Sequence, residues 1–73
     1  MTTLDARGLA CPLPLTMAKR RMADLGPGET LVVLATDPEA PIDLAAWARG
    51  EGHSYRERPR EGWTEFVIEK AGG

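Results

Sequence analysis

The sequence predicts an α/β fold of the α+β type, a two-layer sandwich with the order β-α-β-α-β-β. Its four-stranded mixed sheet should run 1-2-4-3, with two helices on one face. Three observations lead there. Seventy-three residues allow a single domain, residues 1–73, near the lower size limit for an unstapled core. Two stretches of helical period each follow a β-compatible stretch, and the C-terminal third reads as two strands about a turn.

Thr2 to Asp5 is short and β-compatible, and Ala6-Arg7-Gly8 is the turn that leaves it. The spacing then predicts a helix from Pro12 to about Leu25, stopped by Gly26-Pro27-Gly28. Leu15, Ala18, Met22 and Leu25 form its core stripe. Leu13 and Met17 project nearly opposite, on the side of Arg20 and Asp24. Glu29 to Thr36 contains the apolar run Leu31-Val32-Val33-Leu34-Ala35, suited to a central strand. After the connector Asp37-Pro38-Glu39-Ala40-Pro41, a second helix spans roughly Ile42 to Glu51, with Leu44, Ala45 and Ala48 inward and Gly50 or Gly52 closing it. His53 to Arg58, a turn at Pro59 to Gly62, and Trp63 to Lys70 make the terminal hairpin.

Two right-handed crossovers put both helices on one face and leave a gap beside strand two when the chain steps over it. Phe66-Val67-Ile68 suits that interior position, whereas Arg56, Glu57, Arg58 and Pro59 suit an edge. The order 1-2-4-3 follows.

Composition narrows the function. The chain is 42% hydrophobic and 27% charged, as globular domains are, and its net charge of −2 offers no general attraction to nucleic acid or an anionic membrane. A single cysteine forms no internal disulfide, and no Cys/His spacing suits zinc, so neither a metal nor a bound cofactor is expected. With no signal peptide or apolar span in evidence, the expected location is the cytoplasm, where a thiol stays reduced.

That cysteine lies in Gly8-Leu9-Ala10-Cys11-Pro12-Leu13-Pro14. With Cys11 as N-cap, Pro12 falls at N1 and Pro14 at N3, where a missing N–H costs nothing. The helix dipole and the N–H groups of Cys11 and Leu13 should then face the sulfur and lower its pKa. The competing reading is a cysteine packed as a small hydrophobe. A rigid helix start favours a nucleophile that must meet a partner's sulfur. Leu13 and Met17, with Lys19, Arg20 and Arg21, form the expected docking surface around it.

Leu4-Asp5-Ala6-Arg7-Gly8-Leu9-Ala10-Cys11-Pro12-Leu13-Pro14, followed by Lys19, resembles the signature of the TusA/SirA-like sulfur-carrier family, Cys-Pro-x-Pro with a lysine five residues on. The similarity continues through Gly28-Glu29, Thr36-Asp37-Pro38 to Asp43, Trp47-Ala48 and Gly52-His53 into the last strand. This resemblance implies the same architecture. It also implies that Cys11 accepts sulfane sulfur as a persulfide from a pyridoxal-phosphate cysteine desulfurase or a rhodanese. The sulfur would pass to an acceptor protein, for tRNA 2-thiouridine synthesis, molybdenum-cofactor maturation or sulfur oxidation.

Other polar and aromatic residues read as structural. Asp37 and Asp43 look like a turn former and a first-turn helix acid, His53 like a cap or strand start, and Trp47, Trp63 and Tyr55 like packing groups. Two alternatives to the sulfur relay remain at this point. Gly72-Gly73 is the ending of ubiquitin-like carriers activated as C-terminal thiocarboxylates, although those folds open with a hairpin. The other alternative is a binding or regulatory module in which Cys11 has no chemistry.

Overall fold

In the computed structural model, which describes residues 1–72, the elements are β1 (Thr2–Ala6), α1 (Leu13–Ala23), β2 (Thr30–Ala35), α2 (Ala40–Glu51), β3 (Ser54–Arg60) and β4 (Trp63–Glu69). They form a four-stranded sheet of order β1-β2-β4-β3. β1 and β2 pair in parallel, while β4 is antiparallel to both β2 and β3. The centre of the sheet is set by burial. Leu31, Val33 and Ala35 of β2 enter the helix-side core, and Val32, pointing the other way, is still only 6% exposed. β3 has the opposite character, with every residue but Tyr55 exposed, so it occupies an edge.

The core joins Leu4 and Ala6, the inward residues of β2, Phe66 and Ile68 to Ala18 and Met22 of α1 and to Ala40, Leu44 and Ala48 of α2. Phe66, Leu31, Leu44 and Ile68 are among the largest side chains wholly removed from water, each contributing about 1.5–3 kcal/mol.

Some boundaries differ from expectation. Pro12, not Cys11, is the N-cap of α1, and Pro14 lies in the first turn. Pro14, Ala18 and Met22 make the fully buried row at i, i+4, i+8, with Leu15 and Leu25 only partly buried beside it. Met17 also packs against the core, so it does not stand out on the opposite face. α2 begins two residues early because Pro41 is tolerated in a first turn, and because Oδ1 of Asp37 accepts the Glu39 N–H at 2.9 Å. It ends at Gly52, whose φ of 77° lets the His53 N–H reach the Ala48 carbonyl at 2.8 Å. Pro59, expected in the turn, lies within β3 opposite Thr64, as an edge strand allows.

Candidate functional site

β1 and β2 are parallel and in register to Ala6 opposite Ala35, so the loops that follow them leave the same end of the sheet side by side. Sites in sheets of parallel strands lie outside such carboxyl ends. The first loop turns at Gly8, with φ 83°, and its N–H is bound by Oγ1 of Thr36 at 2.9 Å. Before the turn, Arg7 forms a two-pronged pair with Asp5, Nε to Oδ1 and Nη2 to Oδ2, both 2.9 Å. The same guanidinium lies 5.2 Å from the centre of the Trp63 ring.

This loop presents Cys11 as an exposed free thiol. Its backbone N–H donates to Oδ2 of Asp37, in the second loop. Its Sγ lies 2.8 Å from Oδ2 of Asp43, in the first turn of α2, and donates the thiol proton there. The Cys11–Pro12 peptide bond is cis.

The thiol is therefore the reverse of the low-pKa nucleophile expected from sequence. The Asp43 hydrogen bond first, then partial desolvation, then the negative charges of Asp43, Asp37 and Glu39 push its pKa from 9.0 up to about 11. The expected stabilisation of a thiolate fails for a geometric reason. The Cys11 N–H is taken by Asp37 and the Leu13 N–H by the Ala10 carbonyl at 2.9 Å, and the helix starts at Leu13. Neither N–H serves the sulfur. Asp37 and Asp43 are a turn former and a first-turn acid, as their positions indicated, and they also grip the cysteine. The parallel pairing of β1 and β2 was the sequence-level clue, since it brings both loops together.

The remaining expected site residues divide. Leu13 is 47% exposed next to Cys11, and Arg20 and Arg21 are exposed at the far end of α1. Met17, being half buried on the core, adds little to that surface. Lys19 is exposed elsewhere, lining a cleft of about 220 Å³ with Met22, Ala23, Trp47, Glu51, His53 and Lys70. His53 serves structure there, its Nδ1 accepting the Ala71 N–H at 2.9 Å and its ring meeting Trp47 edge-on at 5.4 Å. Lys70 closes α1, with Nζ 3.1 Å from the Met22 carbonyl and 2.5 Å from that of Leu25. Of the Gly72-Gly73 ending, Gly73 lies outside the described residues. Among the described residues no group of His, Cys, Asp and Glu is arranged to hold a metal ion, and no helix is long and apolar enough to cross a membrane.

The family profile described as Sulfurtransferase TusA matches residues 2–70. The sulfur carrier protein TusA of Allochromatium vinosum is 41% identical over 69 residues, which cover 93% of this chain and 91% of that protein. YrkF of Bacillus subtilis is 51% identical over 59 residues, 81% of this chain but 32% of its own length, so the chain spans about a third of that relative. The crystal structure of a SirA-like protein from Desulfitobacterium hafniense superposes with a TM-score of 0.90 at 33% identity, covering 100% of both chains.

Proposed function

We propose, since this chain belongs to the TusA sulfurtransferase family and its homologues are sulfur carriers, that Cys11 is the atom-bearing site. It accepts sulfane sulfur as a persulfide and relays it to an acceptor protein. The donor is a cysteine desulfurase or a rhodanese, the setting is the cytoplasm, and tRNA 2-thiouridine synthesis is one pathway such a relay serves. The observation that carries this reading is the placement of Cys11. Its thiol is exposed at the end of the sheet, held by backbone and side chain, with an exposed apolar residue, Leu13, beside it. A carrier needs this much and no more. The attacking sulfur must project far enough to enter another protein's site, and the second sulfur must leave by the same path.

Leu13 would contribute contact area and Arg20 and Arg21 orientation, with Lys19 reaching only a partner that also covers the cleft. The β-α-β opening disfavours a thiocarboxylate carrier, whose fold opens with a hairpin. The test is acceptance of isotopically labelled sulfur from a desulfurase and cysteine. Wild type should take up one sulfur atom that reductant removes, and Cys11→Ser none. Equal labelling of Cys11→Ser would refute the assignment.

A further inference from the structure

The sulfur of Cys11 already has a partner within its own chain. Its Sγ donates to Oδ2 of Asp43 at 2.8 Å, and Asp37 holds the N–H of the same residue. Asp37, Glu39 and Asp43 are the charges that act on the thiol, and all three belong to the segment that starts α2. Resting on the persulfide reading above, we propose that Asp43 decides which proteins Cys11 reacts with. Its carboxylate latches the thiol proton in the free protein, and a cationic side chain of the docking protein, paired with Asp43, frees the sulfur to attack.

A carboxylate is too weak a base to take a thiol's proton outright, so in the free protein Asp43 retains the proton on sulfur. A guanidinium or ammonium placed on Asp43 cancels its negative charge and withdraws the acceptor, leaving Asp37 and Glu39 as the weaker, more distant charges. Access permits this, because Cys11 is exposed and Asp43 is only partly covered. The transfer then balances without any oxidant. The Cys11 thiolate attacks the outer sulfur of the donor persulfide, a new S–S bond forms and the donor's S–S bond breaks. The donor sulfur leaves with the electron pair and takes up the proton that Cys11 gave up. Stray electrophiles and oxidants that bring no cation meet a protonated, slow thiol.

Charged thiol reagents test this on the whole protein without any sulfur donor. The probes are the trimethylammonium-ethyl and sulfonato-ethyl methanethiosulfonates, with N-acetylcysteine amide as reference thiol. At pH 7.5 the cation-to-anion rate ratio of wild type should exceed the reference ratio about tenfold and fall most of the way back in Asp43→Asn. Neutral iodoacetamide should alkylate Asp43→Asn about tenfold faster than wild type, as the thiolate fraction rises. A wild-type ratio equal to the reference overturns the proposal even if Asp43→Asn fails to fold. Unchanged iodoacetamide rates in a folded Asp43→Asn overturn it as well. With a desulfurase donor, Asp43→Asn should accept sulfur more slowly although it alkylates faster, and a parallel rise in both rates contradicts the cation pairing. Absence of any labelling of wild-type Cys11 would count against the carrier reading alone, because the alkylation results stand apart from it.

Discussion

The backbone N–H of Cys11 is bound by the side chain of Asp37, 26 positions further along the chain. The same carboxylate accepts the Glu39 N–H at 2.9 Å, so one residue both starts α2 and fixes the loop that carries the thiol. Asp37→Ala removes both acceptors. It should cost about 1.5–3 kcal/mol in urea unfolding, the range for losing hydrogen bonds to a charged group, and Asp37→Asn should cost less.

The pH dependence has a definite sign. The folded thiol keeps its proton up to about pH 11, whereas an unperturbed thiol loses it near 9.0. The folded state thus binds more protons in that window, and the contribution of this site to stability is complete below pH 9 and declines as pH rises toward 11. Iodoacetamide alkylation of the native protein should keep accelerating through that range. A rate plateau below pH 9 would contradict the geometry around Asp43.

Leu13 and Met17 should respond differently. Leu13, 47% exposed, accepts Leu13→Asp with a stability change within about 0.5 kcal/mol, while sulfur transfer to a partner slows. Met17 is half buried against the core, and Met17→Ala should cost about 1–2 kcal/mol, below the value for a fully buried methionine. Thermal unfolding of the two variants beside transfer rates separates docking from packing.

Lys70 ties the last strand to the end of α1 through the Met22 and Leu25 carbonyls. Lys70→Met keeps the apolar stem and loses the donor, so it should lower stability by about 1–2 kcal/mol with Cys11 reactivity unchanged. Urea midpoints and alkylation rates together check this.

The fold was legible because apolar pattern and turn chemistry agree. Leu31 to Ala35 suit a central strand and Arg56 to Pro59 suit an edge, which leaves β4 the place between them, as the sheet order shows. Cys11 was legible from its prolines and its resemblance to a family motif. Its electrostatics were not. A helix start at Cys11 would aim two N–H donors at the sulfur, but a tertiary contact gives one to Asp37 and a local turn gives the other to Ala10. Asp43 reaches Sγ across 32 positions of sequence, a contact that pattern along the chain does not contain.

Where the sulfur goes distinguishes a Cys11 persulfide from a C-terminal thiocarboxylate. Wild-type protein incubated with a cysteine desulfurase and labelled cysteine, without ATP, should gain one sulfur atom that peptide mapping places on Cys11, and removal of Gly72-Gly73 should leave the labelling intact. A persulfide needs no adenylation, whereas a carboxylate oxygen must first be made a leaving group. Labelling at the C-terminal glycine that requires ATP and an activating enzyme, with Cys11 unmodified, would contradict the account.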